Sequence, residues 1–133
     1  MTFTLSSSQR FWGALCAFQA FIAVAAGAFG AHGLKNLVAA QNLEWWHTAC
    51  QYLMYHAIAG LFVVWASIWR SSFLFSAKLF SLGSVFFAGS LMAMTITDVR
   101  VLGAVTPIGG VLYLAGWALV IRSFLKNEQI PVN

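Results

Sequence analysis

Four long stretches without a charged residue constrain the fold of this chain more than any other feature. They contain 24, 25, 19 and 21 residues. The charged residues that flank them are, in order, Arg10 with Lys35, Glu44 with Arg70, Lys78 with Asp98, and Arg100 with Arg122. A helix needs roughly 20 apolar residues to cross a hydrocarbon layer about 30 Å thick. The spacing of the charges therefore predicts four membrane-spanning segments.

The composition excludes the main classes of water-soluble protein. Of the 133 residues, 61% are apolar and 8% are charged, whereas soluble domains contain about 45–50% apolar and about 25% charged residues. A soluble domain of this size exposes too much of its surface to hide so many apolar side chains. We therefore exclude a soluble globular domain, a disordered chain and a nucleic-acid-binding protein, and we expect an integral membrane protein.

The four segments are predicted to be helices. Only helices and closed barrels satisfy every backbone polar group in lipid, and the apolar run 61–65 lacks the alternation of a barrel strand. We expect spans at about 11–33, 46–69, 73–96 and 101–124. The very short link 98–100 implies a hairpin. The predicted fold class is thus an all-α, antiparallel up-down four-helix bundle, with residues 1–133 in a single transmembrane domain.

The segment 34–45 allows two interpretations, because it is too polar to span a membrane and too apolar for a simple loop. It is either a short interfacial helix with Trp45 and Trp46 as an anchor near the headgroups, or a loop followed by the first turn of the second helix.

Positively charged residues predict the orientation of the bundle. One side carries five of them, and the other side carries only Lys35 and Arg100; the five are Arg10, Arg70, Lys78, Arg122 and Lys126. Because short cytoplasmic segments carry the excess of Lys and Arg, both termini are predicted to face the cytoplasm. The first apolar run exceeds the roughly 7–15 residues of a signal peptide, so we expect it to be a retained span.

Small residues mark candidate contacts between helices, because they let two backbones approach closely. In the first span Ala23, Gly27 and Ala31 repeat at four-residue spacing, with Ala26 and Gly30 alongside. In the third and fourth spans the same role is expected of Gly89, Ser90, Gly109 and Gly110. A close crossing within the chain is one interpretation of the first stripe, and a dimer interface is the other.

Pro107 lies six residues into the fourth predicted span. Proline deletes a backbone hydrogen bond, so the helix is expected to kink or to begin late at this point. The freed carbonyls could face a cavity or a ligand, or a neighbouring hydroxyl or water could satisfy them. Thr106 and Pro107 are therefore candidate ligand or pathway residues.

His56 is the sharpest candidate for a functional residue. It lies about ten residues into the second predicted span, near the bilayer midplane, and Tyr52 precedes it by one turn on the same face. An ionisable group inside a membrane is a functional hypothesis by default. A neutral histidine that bonds a neighbouring helix is also a common structural clasp. The sequence leaves both interpretations open, and it makes His56 and Tyr52 candidate ligand or pathway residues.

No complete metal or catalytic set is recognisable. His32 and His47 fall at the same ends of the first two spans, but no cysteine or carboxylate cluster completes a ligand set. No Asp or Glu lies inside a span, and the chain lacks phosphate-binding loops and nucleophile motifs. We therefore predict no metal, no cofactor, no catalytic residue and no enzymatic activity.

Several motifs in order resemble the YgdD-like family of small four-helix membrane proteins, over roughly 11–121 of the chain. These motifs are 27–33 (Gly-Ala-Phe-Gly-Ala-His-Gly), 46–56, 87–91 and 106–110, with Gly116 and Trp117. The resemblance implies a multi-pass protein of the bacterial inner (plasma) membrane, in a family of unknown function. The chain departs from the family pattern at Ala88 and Met92, where Ser and Tyr are usual, which argues against a polar catalytic cluster on the third helix. His32 and His56 match the pattern and remain site candidates.

Two functional hypotheses follow from these observations. The first is a non-enzymatic accessory or interaction module that holds a lipid or a quinone-like molecule. The alternative is a small oligomeric transporter or channel for an ion or small solute, with His56 and Pro107 along its pathway. The expected partners are the lipid bilayer and either another membrane protein or further copies of the chain.

Overall fold

The computed structural model of the protein describes residues 4–126, and four long helices form most of this range. They are α1 (Ser7–Phe29), α2 (Ala40–Ala66), α3 (Ser72–Thr97) and α4 (Thr106–Leu125). A π-helical turn, Gly30–Leu34, extends α1, and a short 3-10 helix, Arg100–Ala104, precedes α4. All four helical stretches are long and apolar enough to cross a membrane. The predicted all-α, up-down four-helix fold is confirmed.

α1 begins at Ser7, four residues before the predicted boundary. The side chain of Ser6 accepts a hydrogen bond from the backbone N–H of Gln9, and the side chain of Gln9 accepts one from the backbone N–H of Ser6. This reciprocal capping satisfies two donors at the start of the helix. The helix therefore extends through the polar residues that precede the apolar run.

Of the two interpretations of segment 34–45, the structure agrees with a loop followed by the start of the second helix. The π-helical turn ends at Leu34, a non-helical turn follows, and α2 begins at Ala40. The side chain of Asn42 donates to Asp98 Oδ1 over 3.1 Å, and Thr95 donates to the Asn42 carbonyl over 3.0 Å. These bonds tie the first turn of α2 to the end of α3, so residues 40–45 belong to the second helix.

Pro107 lies in the first turn of α4, where its missing N–H breaks no helical hydrogen bond. The sequence left open whether α4 kinks at Pro107 or begins late. The helix begins late, and it is not kinked at this residue. α4 therefore begins five residues after the predicted start of the span at 101. α3 agrees with the prediction of 73–96 to within one residue at each end.

α2 and α3 form the central pair of the bundle. α1 packs mainly along α2 and α4 mainly along α3, so these two helices flank the pair. Several glycines receive a large side chain from the neighbouring helix. A Cβ at Gly83 would lie 2.7 Å from the Tyr113 ring, and one at Gly116 would lie 2.6 Å from the Phe80 ring. Each of α3 and α4 thus receives an aromatic ring of the other.

A glycine that leaves room for an aromatic ring of the neighbouring helix also joins α1 to α2. A Cβ at Gly30 would lie 2.7 Å from the Trp46 indole nitrogen, which donates to the Ala26 carbonyl over 2.7 Å. Only glycine leaves room there for the indole ring. The hydrogen bond therefore forms at the point where α1 widens into its π-helical turn.

The prediction of close helix contacts holds for some of the named small residues and fails for others. Gly109 lies against the α3 backbone, and Ser90 lies 2.7 Å, hydroxyl to hydroxyl, from Thr106. By contrast, no atom lies within 4 Å of a Cβ placed at Gly27, Gly89 or Gly110. The space around these three glycines is open, so none of them forms a close contact between helices.

Candidate functional site

His56 is enclosed by protein in the middle of the bundle, with 7% of its surface exposed. It lies three residues from the centre of α2, which corresponds to about 4.5 Å along the helix axis. Its ring stacks on Tyr113 of α4, with centroids 3.4 Å apart and planes inclined by 8°. The ring thus bridges α2 and α4, which otherwise contact each other little.

Hydrogen bonds define the chemical state of the His56 ring. Nδ1 lies 2.8 Å from the Tyr52 carbonyl oxygen, which can only accept, so Nδ1 carries the proton. The indole N–H of Trp117 points to Nε2 over 3.3 Å. An indole can only donate, so Nε2 accepts. Both bonds form together only in the neutral ring with its proton on Nδ1, and a second proton on Nε2 would break the bond from Trp117.

Further rings surround this pair, and we call the whole set the aromatic cluster. Its members are Tyr52, His56, Phe80, Phe87, Tyr113 and Trp117. The Tyr113 hydroxyl donates to Ser84 Oγ on α3 over 3.0 Å. The cluster therefore joins three helices by stacked rings and by directed hydrogen bonds.

The residues singled out from the sequence do not form one site. Tyr52 and His56 belong to the same cluster, with ring centroids 6.0 Å apart. Thr106 lies about 10 Å from Tyr113 along the axis of α4, and its hydroxyl forms a hydrogen bond with that of Ser90. Pro107 is exposed. His32 is exposed in the π-helical turn, remote from the cluster. These positions leave His56 and Tyr52 as the candidates that share one environment.

In the sequence, His32 and His47 fall at the same ends of the first two spans. Both side chains are exposed. Within residues 4–126, no three or more His, Cys, Asp or Glu side chains are grouped so that they could hold a metal ion.

An apolar groove runs along the membrane-facing side of the bundle between α2 and α4, and we call it the α2–α4 groove. Its inner part has a volume of about 500 Å³ and is lined by Tyr55, Ala59 and Trp117, among others. Its outer part, of about 300 Å³, is lined by Trp65, Trp69, Phe73 and Arg70. Phe62 and Phe124 line both parts, so the two volumes adjoin.

The groove is connected to the aromatic cluster through Trp117. One side of this residue lines the groove, and its indole N–H donates to His56. Ring packing against Phe80, with centroids 5.0 Å apart, fixes the indole further. The inner wall of the groove is therefore held in place by the cluster.

The outer part of the groove ends at Arg70, which follows the end of α2. Its guanidinium donates to the carbonyl oxygens of Ser123 and Lys126 at the end of α4. The carbonyl oxygens at a helix C-terminus carry partial negative charge, which favours a cation beside them. The bonds hold the cation of Arg70 at the C-terminus of α4, beside the groove.

Sequence reasoning missed the polar side chains that join α3 to the other helices. Besides Ser90, which was named from the sequence, α3 buries the hydroxyls of Ser76, Ser81, Ser84 and Thr95. Gln19 of α1 donates to the Ser81 carbonyl over 3.0 Å, and Cys16 Sγ lies 3.3 Å from Ser81 Oγ. The available signal was the presence of Gln19 and repeated serines inside apolar spans, since interhelical hydrogen bonds are frequent in membrane bundles.

Comparison with known proteins identifies relatives over most of the chain. The family model described as a protein of unknown function, DUF423, matches residues 26–110. The UPF0382 membrane protein YwdK of Bacillus subtilis is 41% identical over 116 residues, covering 84% of this chain and 94% of the relative. The UPF0382 inner membrane protein YgdD of Escherichia coli K12 is 41% identical over 131 residues, covering 95% and 98%. No solved structure matches the chain.

Proposed function

Because this chain belongs to the DUF423 family, an inner-membrane family of unknown function, we propose that it is a non-enzymatic module that holds a single lipid in the α2–α4 groove. The chain of the lipid lies in the groove, and its headgroup lies at the outer end. In this proposal the outer end and both termini face the cytoplasm, as the excess of positive charge there favours.

The shape and lining of the groove carry this proposal. Small-molecule sites are concave and mostly apolar, with volumes of about 300–1,000 Å³, and both parts of the groove fall in this range. Its walls are aromatic and aliphatic along its length, and the charged residue lies at one end. That distribution matches the apolar chain and polar headgroup of a lipid.

The state of His56 supports a structural role over catalysis or transport. Proton transfer or solute binding requires a nitrogen that is available to the reacting group. Both nitrogens of His56 are occupied, one by a backbone carbonyl and the other by the Trp117 N–H. His56 therefore fixes the wall of the groove, and its arrangement gives no support to the transporter hypothesis.

Filling the groove tests the proposal. Ala59 lines its inner part and is half-buried, so Ala59→Trp places an indole where the lipid chain would lie. The protein is extracted in mild detergent, and retained lipid is measured by native mass spectrometry. We expect one lipid per wild-type chain, and loss of most of it in Ala59→Trp.

Ala118→Trp is the matched control, because Ala118 is exposed on α4 beside Trp117 but does not line the groove. This variant is expected to retain lipid as the wild type does. Equal retention by both variants, or a wild-type chain without lipid, would contradict the proposal. The same spectra record a second copy or another protein, which an accessory module is expected to bind.

A further inference from the structure

A second groove lies on the membrane-facing side of the bundle between α1 and α3, and we call it the α1–α3 groove. It has a volume of about 290 Å³ and shares no lining residue with the α2–α4 groove. α1 and α3 contact each other much less than either contacts α2, and Leu53 of α2 lines the gap between them. The groove is therefore a separate site from the one proposed for a lipid.

Two polar side chains line the α1–α3 groove, and its other lining residues are apolar. Gln19 lies near the middle of α1, and Ser84 lies near the middle of α3. Gln19 donates to the carbonyl of Ser81, one turn before Ser84 on the same face of α3. The two polar side chains are therefore neighbours at a level near the bilayer midplane.

The amide oxygen of Gln19 lacks a hydrogen-bond partner among residues 4–126. Its nitrogen, Nε2, donates to the Ser81 carbonyl over 3.0 Å, and a carbonyl can only accept, so Oε1 is the group left open. Gln19 has 7% of its surface exposed. An unpaired acceptor inside hydrocarbon is unfavourable, because no water is present there to donate to it. Oε1 therefore requires a donor from outside the described chain.

Placement in a groove distinguishes Gln19 from Ser76, whose Oγ also lacks a partner in the described part of the chain. Ser76 is fully buried and does not line the α1–α3 groove, so a ligand there does not reach it. Beside Gln19 the groove wall includes Leu15, one turn earlier on the same face of α1. Its side chain can change rotamer to admit a ring to the amide.

Ser84 supplies a donor beside this open acceptor. Its Oγ accepts a hydrogen bond from the Tyr113 hydroxyl over 3.0 Å, which leaves the hydrogen of Ser84 for donation to a ligand. A ligand hydroxyl matches both groups, because it can donate to Gln19 Oε1 and accept from Ser84. A ligand carbonyl can only accept, so it leaves Gln19 Oε1 unpaired.

The depth and the size of the groove restrict the ligand further. The headgroups of a bilayer lie about 15 Å from its midplane, so the polar groups of a phospholipid do not reach Gln19. An apolar cavity of about 150 Å³ holds benzene, and the larger volume of this groove, about 290 Å³, admits a substituted ring. The groove follows α3 from Ser84 to Met92, a distance of about 12 Å, and this apolar part is suited to a tail.

We propose that the α1–α3 groove binds the quinol form of a membrane-dissolved quinone, with one ring hydroxyl between Gln19 and Ser84 and with the apolar tail along Gly89 and Met92. The quinol is favoured over the quinone because the quinone ring carries carbonyls and has no O–H to donate to Gln19. The proposal concerns binding alone, and it is independent of the lipid proposed for the α2–α4 groove.

The test compares the two redox forms of one probe. Full-length protein in detergent is titrated without oxygen with a decyl-substituted benzoquinol and with the corresponding benzoquinone, and binding is measured by isothermal titration calorimetry. The wild type is expected to bind the quinol about tenfold more tightly, since pairing a buried acceptor is worth about that factor. Equal affinity for the two forms, or binding of neither, would overturn the proposal.

Two variants locate the site. Gln19→Met removes the acceptor at similar side-chain length, so the preference for the quinol is expected to disappear. Gly89→Leu fills the groove, because a Cβ at Gly89 meets no atom within 4 Å, and it is expected to weaken binding of both forms at least tenfold. Gly110→Leu is the control, since a Cβ there is equally open and Gly110 does not line the groove. It is expected to bind as the wild type does.

The outcomes for the variants are equally decisive. A preference for the quinol that survives in Gln19→Met, or full binding by Gly89→Leu, would contradict the assigned site. Gln19→Met also loses the bond to Ser81, so its folding is checked by circular dichroism. If it does not fold, the comparison of quinol with quinone still tests the need for a donor, and the pair of glycine variants still tests the location.

Discussion

Replacing Gly109 by alanine is expected to lower the free energy of unfolding by about 2–3 kcal/mol, the upper part of the usual range for overpacking. An added Cβ would lie 2.6 Å from the Gly83 carbonyl oxygen and equally close to Phe87 Cβ. The carbonyl belongs to the backbone of α3, so it cannot move aside as a flexible side chain would. α3 and α4 must therefore separate, which also disturbs the contact of Tyr113 with Gly83.

Gly110→Ala is the matched control for this variant. The two glycines are neighbours in α4, but a Cβ at Gly110 meets no atom within 4 Å. Alanine also favours a helix over glycine by about 1 kcal/mol, so Gly110→Ala is expected to be neutral or stabilising. Reversible unfolding in detergent, followed by tryptophan fluorescence, measures both. Equal stability of the two variants would contradict the close α3–α4 contact.

His56→Ala is expected to destabilise the bundle by about 3 kcal/mol, because truncation of a buried ring leaves a cavity in the core. The change removes the stack on Tyr113 and leaves the Trp117 N–H without its acceptor. His56→Phe retains a ring and loses both hydrogen bonds, so we expect a smaller loss of about 1 kcal/mol. The same unfolding measurement compares the two variants.

The other histidines provide the controls for this prediction. His32 and His47 are exposed, so replacing either by alanine is expected to leave the free energy of unfolding nearly unchanged. If His56→Ala unfolds like these controls, His56 is not the clasp between α2 and α4. Its hydrogen bonds would then not hold the groove wall.

The positions of the helices could be predicted from the sequence because lipid imposes a simple requirement. A span needs about 20 residues without charge, and the charges of this chain divide it accordingly. The helix ends were less predictable, because they depend on particular side chains. The Ser6–Gln9 capping pair lengthens α1, and the contacts of Asn42 with α3 place the start of α2 at Ala40.

The site could be predicted only in part, because periodicity does not reveal which helices face each other. His56 and Tyr52 were recognisable as polar residues inside one span. The partners of His56 were not, since Tyr113 and Trp117 lie on α4, far away in the sequence. For the same reason spacing could not distinguish Gly109, which contacts α3, from Gly110, which does not. The groove arises from the separation of α2 and α4 and has no signature in the local sequence.

Photo-crosslinking in vesicles tests most directly whether the α2–α4 groove holds a lipid. Phosphatidylglycerol with a diazirine in its acyl chain is incorporated with the protein, and the labelled residues are identified by peptide mass spectrometry. We expect adducts to concentrate on groove residues such as Phe62 and Trp117. Phe21 on the exposed face of α1 is expected to react much less. Equal labelling of both surfaces would show an ordinary lipid annulus and would contradict a specific site.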